Sequence, residues 1–188
     1  MLVKQMSTRD YVLWITRTAL FLAILISLQA LSRQFGNQIL TGSIVNLMLV
    51  LTVMTCGPIS GIFVAGTSPV VAAMLGIAPN WFVVPVIVIA NIVFVIAWHF
   101  IGNTNLKNKF ISYGIACAVG ALAKFVVLYL GVVYIVIPVF MNLPPEAPQV
   151  AVMTTTFGVI QILTAAIGGV VAILIIPTLK KIIRLQKR

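Results

Sequence analysis

Acidic side chains are almost missing from this chain: Asp10 and Glu146 are the only two, against twelve lysines and arginines. One histidine, His99, and two cysteines, Cys56 and Cys117, complete a thin stock of reactive groups. No carboxylate pair, metal-ligand cluster or nucleophile-base constellation can be assembled from that set, so neither an enzyme nor a bound cofactor is expected. The chain also lacks a G-x-x-x-x-G-K-[ST] phosphate loop and a buried carboxylate to relay protons, so any uphill work must draw on a partner. The cysteines have neither zinc nor redox spacing and read as packing residues on the predicted cytoplasmic side.

What the chain does have is hydrocarbon. It is 62% hydrophobic over 188 residues with a mean hydropathy of +1.20, more than a water-soluble domain of this length could hide. A helix crosses the bilayer core with about 20 apolar residues, which leaves room for five to seven spans and no soluble domain. Gly, Pro, Asn and charge clusters divide the sequence into predicted spans at 11–31, 39–56, 58–76, 81–102, 110–138 and 150–178. The expected fold is an all-α, six-helix membrane bundle forming a single domain over 1–188. The first span follows Lys4 and Arg9, but it is too long for a signal-peptide core and lacks a small-x-small cleavage site, so it reads as a retained span.

Charge sets the orientation. With both ends in the cytoplasm, the inner side receives Lys4, Arg9, Arg17, Lys107, Lys109, Lys180, Lys181, Arg184, Lys187 and Arg188; only Arg33 falls outside and Lys124 within a span. This satisfies the positive-inside rule, whereas five spans would put the C-terminal cluster outside. Because the basic residues gather at span ends, the net charge of +10 is a matter of topology and no nucleic-acid partner is expected. The outer connections, Ser32 to Gln38, Ile77 to Asn80 and Phe140 to Gln149, are long enough to serve as lids or simply to join helices.

Lys124 needs a reason to lie in a span. At ~1.5 Å per residue it is roughly 21 Å along its helix, with Gly120 and Ala121 on the same face. Small residues mark a packed face, so the ammonium is read as pointing into the bundle or a wet cavity; snorkelling to the outer surface is the alternative. Asn91 and Gln161 enter from the outside to a similar depth. Gln161 shares a stripe with Thr154, Phe157, Gly158, Thr164, Ala165 and Gly168, and Asn46 adds another amide near the outer end of the second span. Either these groups line one cavity suited to a small polar, anionic molecule, or each amide bonds a neighbouring helix. Trp98 and His99 read as an interfacial anchor; Trp14 and Trp81 fit the inner and outer aromatic belts, Trp81 with Phe82 being placed also to cap the cavity. In the first span Ala19, Ala23 and Ser27 recur at four-residue spacing, a groove for another helix that by spacing alone favours internal packing.

Taken together, the small six-span size, the A-x-x-x-A segment Ala19 to Ala23, and the stretches Thr41-Gly42-Ser43-Ile44-Val45-Asn46 and Cys56-Gly57-Pro58-Ile59-Ser60-Gly61 resemble the substrate-binding S component of energy-coupling factor (ECF) vitamin transporters. The resemblance implies a high-affinity vitamin-binding subunit in the cell membrane, working with a transmembrane coupling subunit and two cytoplasmic ATPases. It gives Ala19 and Ala23 to the coupling interface, which the same spacing extends to Ser27, and it puts the vitamin near the outer face among the later spans, which Asn91, Lys124 and Gln161 match by position and not by a shared motif; Asn46 and Trp81 join them as candidate vitamin-binding residues from the cavity reading alone. The stretch Gln38 to Asn46 resembles the pantothenate-type members; hydroxymethylpyrimidine, pyridoxine and riboflavin are the rival substrates, and a stand-alone facilitator is the rival function.

Overall fold

The computed structural model describes residues 8–77, 80–104, 106 and 108–185. Lys4, Lys107, Lys187, Arg188 and positions 78–79 of the second outer connection lie outside the described residues, as does the side chain of Arg184. Helices account for nearly all the rest, and the described residues contain no strand: α1 (Thr8–Arg33), α2 (Gln38–Cys56), α3 (Pro58–Met74), a 3₁₀ turn (Trp81–Val83) leading into α4 (Val84–Gly102), α5 (Lys109–Tyr129) continued by a π-helical segment (Leu130–Phe140), then α6 (Pro148–Phe157) and α7 (Val159–Leu185).

Five helical stretches are long and apolar enough to cross a membrane; α3 is apolar but has 17 residues, about 25 Å of helix against a hydrocarbon core of about 30 Å. The helix starts follow from local chemistry. Asn37 accepts from the amides of Ile39 and Leu40, Asn80 from Phe82 and Asn108 from Phe110, so three asparagine side chains satisfy first-turn donors. Gly57, at φ 96°, ends α2, and Pro58 opens α3 where its missing N–H is no loss.

Two predicted spans depart from regular helices. The fifth widens after Tyr129: Pro138 offers no amide hydrogen, and Met141 N–H instead reaches back to the Val136 carbonyl at 3.0 Å, five residues away. The sixth, expected as one helix over 150–178, is broken at Gly158 (φ −97°, ψ −114°), where a Cβ would stand 2.4 Å from the Thr154 carbonyl oxygen. Trp98 also differs from its expected place. It is fully buried among Phe94 and Tyr113, a core residue rather than an interfacial anchor. Cys117 is buried in the packing of α5 on α7, its thiol 3.9 Å from the Ala165 carbonyl.

α2 is the central helix, packed against α1, α3, α4 and most extensively α7. Glycine makes the α2–α7 approach possible: a Cβ on Gly168 would lie 2.6 Å from the Ser43 carbonyl oxygen and 2.8 Å from the Leu47 nitrogen, so only hydrogen fits between the backbones. The main core, with Leu25, Leu49, Val53, Val64, Phe94 and Trp98, fills the bundle, and a second cluster around Ala90, Leu128, Val132 and Phe157 closes the end where α5 finishes and α7 starts. Between them lies a cavity.

Candidate functional site

The cavity holds about 130 Å³. It is built at the end of the bundle where α1, α3 and α5 finish and α2, α4 and α7 begin, remote from the basic residues Arg9, Lys109, Lys180 and Lys181 at the other helix ends. The second half of α3 contributes Ser68, Pro69 and Ala72; α4 contributes Ile87 and Asn91. α5 supplies Lys124 and Leu128, Phe157 ends α6, and Gln161 stands in the first turn of α7. Gln29 of α1, Gln38, Thr41, Gly42 and Val45 of α2, and Ile77 after α3 complete the wall.

Lys124 is 3% exposed, and its ammonium is held from behind: Nζ donates to Asn46 Oδ1 at 2.6 Å and lies 5.5 Å from the centre of the Phe94 ring. The carboxamide of Asn46 is itself oriented from α7, its Nδ2 donating to Thr164 Oγ1 at 3.3 Å, and that hydroxyl in turn donates to the Gln161 carbonyl at 3.2 Å. A chain of polar contacts therefore runs from α5 through α2 to α7, across the glycine-lined approach. Gln161 has a second task. Its Nε2 donates to the Thr156 carbonyl at 3.1 Å, satisfying an acceptor that the break at Gly158 leaves without a helical partner. Among the described residues no carboxylate faces Lys124: Asp10 is in the first turn of α1 and Glu146 in the connection before α6.

Three of the five site residues named from sequence, Asn91, Lys124 and Gln161, line this one cavity. Asn46 is fully buried behind it and touches Lys124 rather than the space. Trp81 is 58% exposed in the 3₁₀ turn and is not among the lining residues. On α1, Ala19, Ala23 and Ser27 are all exposed, on a helix whose buried residues are only Thr18, Leu25, Gln29 and Ser32. That face is not used for internal packing, contrary to what its spacing alone favours. Sequence reasoning passed over Gln29, Gln38, Thr41 and Ser68. The spacing of Gln29 with Leu25, four residues apart on the buried face of α1, was the available signal.

Among the described residues no group of three or more His, Cys, Asp or Glu could hold a metal ion. A helical membrane bundle with a cavity where one buried cation and several amide and hydroxyl groups stand among apolar side chains has the form of a receptor or carrier for a small solute. Residues 14–180 match the family described as ECF transporter, substrate-specific component, and the chain belongs to that family. It is thus an integral membrane, substrate-binding transport subunit that associates with further transporter subunits. No curated protein and no solved structure matches it.

Proposed function

We propose that this subunit captures an anionic vitamin, pantothenate, in the cavity walled by Asn91, Lys124 and Gln161, and delivers it to an ATP-driven importer. The observation that carries this reading is Lys124, a buried cation among the residues lining the cavity, whose ammonium has one neutral acceptor and, among the described residues, no carboxylate. A charge in the membrane interior is tolerated best when paired, and the missing partner is then the ligand. Pantothenate brings a carboxylate at one end and an amide with two hydroxyls at the other, which suits a wall that sets one cation and several amide and hydroxyl groups among apolar side chains. Phe157 is the one aromatic side chain on that wall, poor support for stacking a flat ring such as flavin.

In this reading the whole chain is one six-span bundle in the cell membrane with both ends in the cytoplasm, α3 being the shortest span. The charge pattern supports it: Arg9, Lys109, Lys180 and Lys181 stand at the helix ends away from the cavity, which then opens outward. The exposed small-residue face of Ala19, Ala23 and Ser27 is the docking face for the transmembrane coupling subunit, which joins the two cytoplasmic ATPases.

Calorimetry of the purified protein against a vitamin panel tests the assignment. Pantothenate binds, and Lys124→Ala weakens it by about 100-fold or more, the scale for breaking a buried charge pair, whereas Lys180→Ala does little. Equal effects of the two substitutions, or tight binding of only neutral vitamins, would remove Lys124 from the site.

A further inference from the structure

Five buried polar side-chain atoms find no hydrogen-bond partner among the described residues, and three of them, Gln29 Oε1, Ser68 Oγ and Asn91 Oδ1, belong to residues lining the cavity. These residues are 7%, 0% and 1% exposed and come from α1, α3 and α4, helices that pack in that order. An unpaired buried polar group costs about 1–3 kcal/mol. Three at one cavity are not explained by packing.

Ser68 shows the anomaly most clearly. The hydroxyls of Thr16, Thr18, Thr52, Thr55 and Thr67 each donate to the carbonyl four residues earlier, the usual refuge of a hydroxyl in an apolar helix. Ser68 makes no such bond. Its neighbour Pro69 has no amide hydrogen to offer the Ala65 carbonyl, so α3 is short of a backbone bond at the same place.

We propose that Gln29, Ser68 and Asn91 form a neutral hydrogen-bonding subsite that binds the hydroxyl and amide groups of the ligand, while Lys124 takes its anionic end. The ligand class is then a carboxylate whose far end is hydroxylated or amidic, because carboxamide and serine tips both donate and accept, as hydroxyls and amides do. Three neutral oxygens would also suit a hard cation, but the Lys124 ammonium on the same cavity opposes one. Ligand occupancy also ties α1 and α3 to α4 and α5. The inference rests on the anionic-vitamin reading for the role of Lys124 alone; the subsite itself rests on the unpaired groups.

The test uses two probes, pantothenate and pantothenol, which keeps the hydroxyls and amide but replaces the carboxylate by an alcohol. The double variant Gln29→Leu, Ser68→Ala is expected to bind both about tenfold or more weakly, the sum of two ordinary hydrogen bonds. Lys124→Gln penalises pantothenate more than pantothenol, which separates the two readings. If the double variant binds both probes as the parent does, the subsite is overturned and the lysine assignment is untouched. If the parent binds neither, the pantothenate reading falls, and pyridoxine and hydroxymethylpyrimidine serve as probes for the same variant: lost binding supports the subsite, retained binding overturns it. Thermal unfolding of the ligand-free double variant guards against a folding defect. An unchanged or raised Tm agrees with groups that lack partners, and a lowered Tm overturns the proposal.

Discussion

Lys124 of α5 donates to Asn46 of α2 at 2.6 Å, which brings a buried cation and a buried amide together from positions 78 residues apart. The contact leaves the ammonium oriented, with N–H groups to spare and no opposite charge. Replacing Asn46 by Leu removes the acceptor, and the variant should lose about 1.5–3 kcal/mol of stability, the range for hydrogen bonds to charged groups, seen as a lower Tm in detergent. Asn46→Asp should act on binding instead. It supplies an internal counter-ion, so affinity for an anionic ligand falls at least tenfold by calorimetry while the fold is kept.

Gly168 is the second point of leverage. Its added methyl would meet backbone atoms of Ser43 and Leu47, which cannot swing away as a side chain would. Gly168→Ala is therefore expected to part α2 from α7 and lower stability by about 1–3 kcal/mol, with a loss of ligand affinity because Asn46 and Thr164 move with their helices. Unchanged Tm and affinity would mean the two helices have slack.

The two tryptophans of α4 and its leading turn should behave in opposite ways. Trp98 is fully buried, so Trp98→Ala should cost about 3–5 kcal/mol. Trp81 is 58% exposed and is not among the residues lining the cavity, so Trp81→Ala should change stability by no more than about 0.5 kcal/mol and leave vitamin affinity unaltered. Thermal scans and calorimetry of the pair read both outcomes; weakened binding in Trp81→Ala would return it to the site.

Ala19 and Ala23 are exposed on α1, so a bulky side chain there has room in the isolated subunit. Ala19→Trp and Ala23→Trp should bind vitamin normally in detergent yet abolish uptake in cells and co-purification with the coupling subunit. A stand-alone facilitator would take up solute regardless of either change.

Much of the helical framework is legible one residue at a time. Gly57-Pro58 marks a helix end and start wherever it falls, and the capping asparagines 37, 80 and 108 lie at or beside the expected boundaries. The depth of Lys124, Asn91 and Gln161 also follows from counting residues along a helix of known rise, and they do reach one cavity. Rotation about the helix axis is harder to read. Almost every face of these helices is apolar, so periodicity does not separate a core-facing tryptophan such as Trp98 from an interfacial one, or the exposed Ala19 from an internal alanine.

By itself, then, the amino-acid order determined that this is a helical membrane protein, where most of its helices begin, and how far along its helix each polar group stands, because those properties depend on hydrophobicity, caps and rise along a single segment. Only the tertiary structure decided that α6 and α7 part at Gly158, that Asn46 stands behind Lys124 rather than beside it, and that Gln29 and Ser68 join the cavity. Those facts depend on how closely neighbouring backbones approach and on which hydrogen bonds remain unmade after packing, and neither quantity belongs to any one helix.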